Sequence, residues 1–201
     1  MAIGILAYGS LIDDLGDELA SHIVDRKQGV QTPVRVEFAR SSHSRDGTPT
    51  LVPVRDGGTQ VKAVVLVLDA DVSLEMGKDI LCRREINAAG DLGHRYDPTA
   101  SGPNAVHIGE LRQEDAFGLD VVLYSVIGEN ISPLIAEHLA ELAIRSARCQ
   151  AGRERRDGIS YLQNALANGI RTPLSEAYGH QILLKTGTAS LTEAWAACRP
   201  E

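Results

Sequence analysis

The sequence predicts an α+β fold in which strands come first and helices follow. Short, valine-rich segments with alternating or continuous apolar runs fill the first two-thirds of the chain. Ala- and Leu-rich segments with apolar residues at helical spacing fill the rest. The composition changes near Ser132. The expected organisation is a strand-rich body over 1–131 and a helical extension over 132–201 packed on the same domain. Roughly fifty to seventy residues alone would make only a small core.

The elements follow in order. Ile3–Tyr8 is a continuous apolar run, as in a strand buried on both faces, and Gly9-Ser10 ends it. Asp13–Val24 reads as a short helix, with Leu15, Leu19 and Ile23 on one side. Val34–Arg40 alternates Val34, Val36 and Phe38 with Arg35, Glu37 and Ala39, the pattern of a half-buried strand. The polar stretch Ser41–Thr50 reads as a loop. Thr50–Val54 is a short strand whose Pro53 suits an edge. Asp56-Gly57-Gly58 is a turn. Val61–Leu68, dense in Val and Leu, is the strongest strand signal.

The period then changes. Over Asp69–Glu85, Val72, Met76, Ile80 and Leu81 line one side of a helix. Gly90–Asn104, rich in Gly, Pro and Asp, is a long loop. Val106–Leu111 and Val121–Ile127 are further strands. Ser132-Pro133 is the expected start of a helix running over Leu134–Cys149. Three short helices complete the chain. Asp157 caps one that stops at Asn168-Gly169. Thr172-Pro173 opens the next, which ends at Gly187. Ser190-Leu-Thr-Glu193 is a capping box for the last. Leu162, Leu166, Leu174, Ile182 and Leu183 are the expected inward residues of these helices.

Composition excludes several function classes. The chain has 201 residues and is 43% hydrophobic, enough for a real core. Its formal charge of −7 argues against nucleic acid or an anionic membrane surface as partner. Aromatic residues are 4% of the chain, too few for a stacking surface. Cys82, Cys149 and Cys198 are odd in number and widely spaced, so they suit neither a disulfide framework nor a zinc pair, and fit a reducing cytoplasm. No signal peptide or apolar run of membrane-spanning length is expected. The six histidines are scattered without HxH or HExxH, so no metal site is expected.

Two clusters could carry chemistry. The first is Tyr8-Gly9-Ser10-Leu11, where a buried strand meets a helix. A glycine there can take positive φ, and successive amides can converge on one anion. The same residues also fit an ordinary turn with Ser10 as a cap. G-x-G-x-x-G, a Walker loop and G-x-S-x-G are all absent. The second cluster is Cys82-Arg83-Arg84-Glu85-Ile86. Glu85 follows Leu81 by one helical turn and so shares its apolar face. A carboxylate there must be paired, protonated or exposed at the helix end. Arg145, Arg148, Arg153, Arg155 and Arg156 form a basic cluster that suits a solvated helix end, with a phosphate or acidic-partner site as the alternative.

Taken in order, these features resemble the γ-glutamylcyclotransferase-like family, with its N-terminal YGSL or YGSN loop and single glutamate. Tyr8-Gly9-Ser10-Leu11 matches the loop. Val61–Asp69 resembles the family strand V-x-G-x-x-Y-x-L/I-D. Glu85, sixteen residues after Asp69, falls where the family keeps its catalytic glutamate. Val122-Leu-Tyr124 resembles the late strand whose tyrosine closes the pocket. The likeness covers roughly residues 1–130. Ala63 stands in place of the strand glycine, Ile86 follows Glu85 where glycine is common, and the helices after Ser132 exceed the family core.

The resemblance implies a small mixed β-barrel with flanking helices. It also implies cleavage of a γ-glutamyl amine or peptide to 5-oxoproline with no metal or organic cofactor. Glu85 would be the acid/base, and Tyr8, Gly9, Ser10, Leu11 and Tyr124 would bind substrate. The expected partner is that small molecule, with no nucleic acid and no membrane. An alternative is a non-catalytic module on the same fold that holds a small acidic metabolite. A third reading makes the appendage Ala151–Arg199 an oligomerisation surface.

Overall fold

A computed structural model describes residues 1–200, and it is an α+β structure. The chain divides into two compact units: Met1–Pro33 with Lys62–Gly128, and Val34–Val61 with the residues from Glu129 onward.

The first unit is built on a five-stranded mixed sheet. Its strands are β1 (Ile3–Ala7), β2 (Ile23–Gln31), β5 (Lys62–Leu68), β6 (Val106–Arg112) and β7 (Val121–Ile127), in the order β2-β5-β1-β7-β6. β1 is central, antiparallel to β5 and parallel to β7. All five of its residues are buried, as a strand covered on both faces requires. Side chains alternate across the sheet. Ile3, Ile5 and Ala7 join Leu66, Leu68, Val121 and Leu123 on one face. Leu6 joins Val65, Val122 and Leu111 on the other. Among the described residues, β2 and β6 end the sheet, and no pairing closes it into a barrel.

Helix α2 (Leu74–Glu85) covers the first of these faces with Ile80 and Leu81, which are buried. Each such side chain contributes about 1.5–3 kcal/mol by leaving water. Ser73 caps the helix, its Oγ accepting from Met76 N at 3.2 Å. Gly77 lets the helix come close to the sheet: a Cβ there would lie 3.2 Å from Leu123. The segment between α2 and β6 contains no helix or strand, as its composition predicts.

The expected helix over Asp13–Val24 is replaced by a single turn, α1 (Asp17–Ala20), and by β2 from Ile23. Gly16 at φ +71 blocks an earlier helical start. β2 lacks a strand signature because it is a mostly exposed edge, carrying Asp25, Arg26 and Lys27 and two register shifts along β5. Such charges and irregularities protect an edge from pairing further.

The second unit joins a hairpin to the helices. β3 (Val36–Ser42) and β4 (Thr48–Pro53) pair antiparallel. They reach further into the expected loop than the polar sequence suggests, leaving a short 3-10 turn at His43–Arg45. The helices are α3 (Ala136–Ala147), α4 (Gln150–Arg153), α5 (Gly158–Ala167), α6 (Ser175–Thr186) and α7 (Leu191–Cys198). α3 starts at Ala136, not at Ser132-Pro133, because Ile135 is still extended. α4 has no counterpart in the sequence reading.

The other caps are as expected. Asp157 accepts from the amides of Ile159 and Ser160, Gly187 ends α6 at φ +67, and Ser190 Oγ accepts from Glu193 N. Glu193 reaches Ala189 N, one residue short of a full capping box. Leu162 and Ile182 are fully buried; Leu166, Leu174 and Leu183 are half-buried. Gly158 is where α5 meets α3, since a Cβ there would lie 2.7 Å from Ala143.

Candidate active site

The site lies in the first unit, at the end of the sheet where β1 and β7 both finish. Parallel strands bring their C-terminal ends together. β1 runs straight into the Tyr8–Leu11 segment. Tyr8 is extended, Gly9 turns at φ +60, and Gly9–Ile12 forms one 3-10 turn. The Ser10 carbonyl accepts from Asp13 N and Asp14 N, at 3.3 and 2.8 Å. Gly9 and Leu11 are buried, whereas Tyr8 and Ser10 are half-buried. A side chain at Gly9 would force a left-handed backbone on an L-residue.

Glu85 is the last residue of α2 and is half-buried. Ser125 Oγ on β7 donates to its Oε1 at 3.2 Å. Alternation explains the contact. Val121 and Leu123 face α2, so Ser125 faces the same way. The β1–β7 register pairs Ile3 with Val121 and Ile5 with Leu123. Ser125 follows Leu123 by two residues on β7, as Ala7 follows Ile5 on β1. Glu85 is thereby held against β7, the strand parallel to β1, and does not stand on a frayed end in open solvent.

The neighbouring arginines fasten α2 to other parts of the unit. Arg83, buried at 2% exposure, donates through Nε to both oxygens of Glu18 at 3.1 Å and through Nη1 to the carbonyl of His94. Arg84 pairs with Asp14 at 3.1 Å. On the preceding turn, Asp79 accepts from Arg95 and from Tyr96 N. Tyr96 Oη in turn accepts from Ile108 N on β6. The arginine holds Glu18 below the usual carboxylate range against the opposing effect of burial. Burial pushes Asp79 up, but its donors outweigh this and leave it low. Burial, with Asp79 nearby, pushes the Cys82 thiol up.

Tyr124 is placed differently. Like Tyr8, it packs against the Leu6, Val65 and Val122 cluster on the face opposite α2. Its ring lies across Gly109 of β6, where a Cβ would fall 2.3 Å from the ring. The predicted residues therefore fall into two sets: Glu85 and Leu11 on the α2 side, Tyr8 and Tyr124 on the other, with Gly9 and Ser10 in the turn between. Ser125 escaped the sequence reading. Its signal was a polar residue in phase with the buried Val121 and Leu123.

Ile86 has φ −93, and the left-handed residue is Asn87 at φ +56. Ala63 is buried in the second face of the sheet. Among the described residues no group of three His, Cys, Asp or Glu gathers as a metal site, and no helix is long and apolar enough to cross a membrane. Compared with family models and with curated proteins, the chain matches none of them.

Proposed function

We propose that the chain is a γ-glutamylcyclotransferase-type enzyme that releases 5-oxoproline from a γ-glutamyl amine or peptide. The observation that carries this reading is Glu85, a half-buried carboxylate held by Ser125 of β7, the strand parallel to the one that runs into the Gly9 turn. The open mixed sheet is, in this reading, the counterpart of the family's barrel.

The chemistry requires one proton shuttle and one anion cradle. Glu85 takes a proton from the substrate's α-ammonium. The freed amine attacks the γ-carbonyl, closing the five-membered lactam. Glu85 returns that proton to the leaving nitrogen and then relays the ring nitrogen's second proton to it, so that the bond from the carbonyl carbon breaks and the amine departs as an ammonium. No water is consumed. The turn at Gly9 directs successive amides at the substrate α-carboxylate or at the developing oxyanion. Holding the substrate folded for ring closure supplies much of the rate. Each group in this scheme is a side chain or amide of the chain itself.

The test is direct. The full chain is incubated with a panel of γ-glutamyl amines and dipeptides, and 5-oxoproline is measured by mass spectrometry. Release from at least one compound is expected. Binding of such compounds with no release from any of them would make the protein a binding module.

A further inference from the structure

We infer that Ser125 is a positioning residue for Glu85, fixing the direction of its carboxylate toward the reacting amine. The inference rests on the proposed role of Glu85 and deepens it.

Three observations support it. Ser125 is half-buried on a strand position whose neighbours in phase, Val121 and Leu123, are fully buried. A serine there gives up apolar burial, so its hydroxyl needs a partner. Its Oγ donates to Glu85 Oε1. Finally, Glu85 is the final residue of α2, where a helix end alone would leave its rotamers loose. A hydrogen bond from a strand is a rigid tether for such a group, and positioning of this kind is worth large factors in rate.

The bond also has a sign. A donated hydrogen bond favours the charged carboxylate. Several charged groups on and around α2 form pairs of their own. Arg83 pairs with Glu18, Arg84 with Asp14, Asp79 with Arg95, and Lys78 with Glu110, which also takes Arg112. His107 on β6 is exposed, and Asp17 lies on α1. β1 contributes no ionisable side chain, and on β7 Tyr124 is on the opposite face. Cys82 sits one turn before Glu85, and its thiol is held up by burial, which keeps it neutral. Removing the Ser125 donor should make Glu85 easier to protonate, because the bond it donates favours the charged form.

The experiment compares wild type, Ser125→Ala, Ser125→Thr and Glu85→Gln as full chains. The Glu85 carboxyl is titrated by carbon NMR, its signal assigned by its loss in Glu85→Gln. Ser125→Ala should raise the midpoint by about one pH unit, and Ser125→Thr should restore it. In turnover, Ser125→Ala should lower kcat/KM about tenfold and move the acid limb of its pH profile upward by a similar amount. An unchanged midpoint in Ser125→Ala overturns the assignment, whatever the activity. So does a fall in rate with no movement of the limb, which would mark a merely structural role. A wild-type rate in Glu85→Gln would instead overturn the parent reading.

Discussion

Gly9 and Glu85 could both be picked out from the sequence, but for different reasons. Gly9 stood between a buried apolar run and a helical pattern, where only a residue without Cβ turns freely. The structure shows that turn, at φ +60. Gly9→Val should cost about 1–3 kcal/mol of stability, read by denaturant unfolding, and should weaken binding of substrate analogues. Equal affinity in the variant would remove the loop from the cradle. The face assignment of Tyr124 was also encoded, since it alternates with Leu123 and Ser125. What the sequence could not tell was which face α2 would cover, because that depends on contacts distant in the chain. Gly109→Ala isolates Tyr124, since the new methyl must displace its ring while Glu85 lies on the other face. The expected result is a raised KM with kcat within about twofold, the pattern of lost uniform binding. A fall in kcat alone would place Tyr124 in the chemical step.

At the scale of elements, sequence patterns worked where local chemistry decided the outcome. The apolar stripe of α2, the Asp157 and Ser190 starts and the Gly187 stop were all readable from a few neighbouring residues. β2 was not, because an exposed edge strand is specified by its partner β5 and carries charges in place of alternation. α3 began late for a related reason: Ile135 remains extended despite a good start signal at Ser132-Pro133. The cap on α5 gives a quantitative check. Asp157 is fully buried and accepts from Ile159 N, Ser160 N and Ser160 Oγ. Asp157→Ala should lower stability by about 1–2 kcal/mol. Thermal unfolding that matches wild type would show that packing alone holds the helix.

At the scale of the molecule, the two units should respond oppositely to acid. In the first unit, arginine holds Glu18 down, tyrosine and arginine contacts keep Asp79 low, and Lys78 and Arg112 hold Glu110 down. Their stabilisation is present above the unfolded values, near pH 4, and is lost as pH falls through the lower folded values. In the second unit, burial holds Asp157 above its ordinary value, against the bonds it accepts. Protonating it on acidification relieves a penalty present at higher pH. Hydrogen-exchange protection factors should therefore fall first in α2 and β6 as pH drops below about 4, while α5 holds longer. Earlier loss in α5 would reverse this account.

The central claim is that Glu85 moves the proton, and turnover by Glu85→Gln tests it most directly. The variant keeps the shape of the side chain and its contact with Ser125, but cannot exchange a proton. With the γ-glutamyl compound that wild type turns over fastest, 5-oxoproline release should fall about 10²–10⁴-fold, the usual scale for a positioned acid/base. Affinity for that compound should change far less, because in the proposed scheme the amides of the Gly9 turn, not Glu85, hold the substrate anion. Release at the wild-type rate by Glu85→Gln would contradict the account.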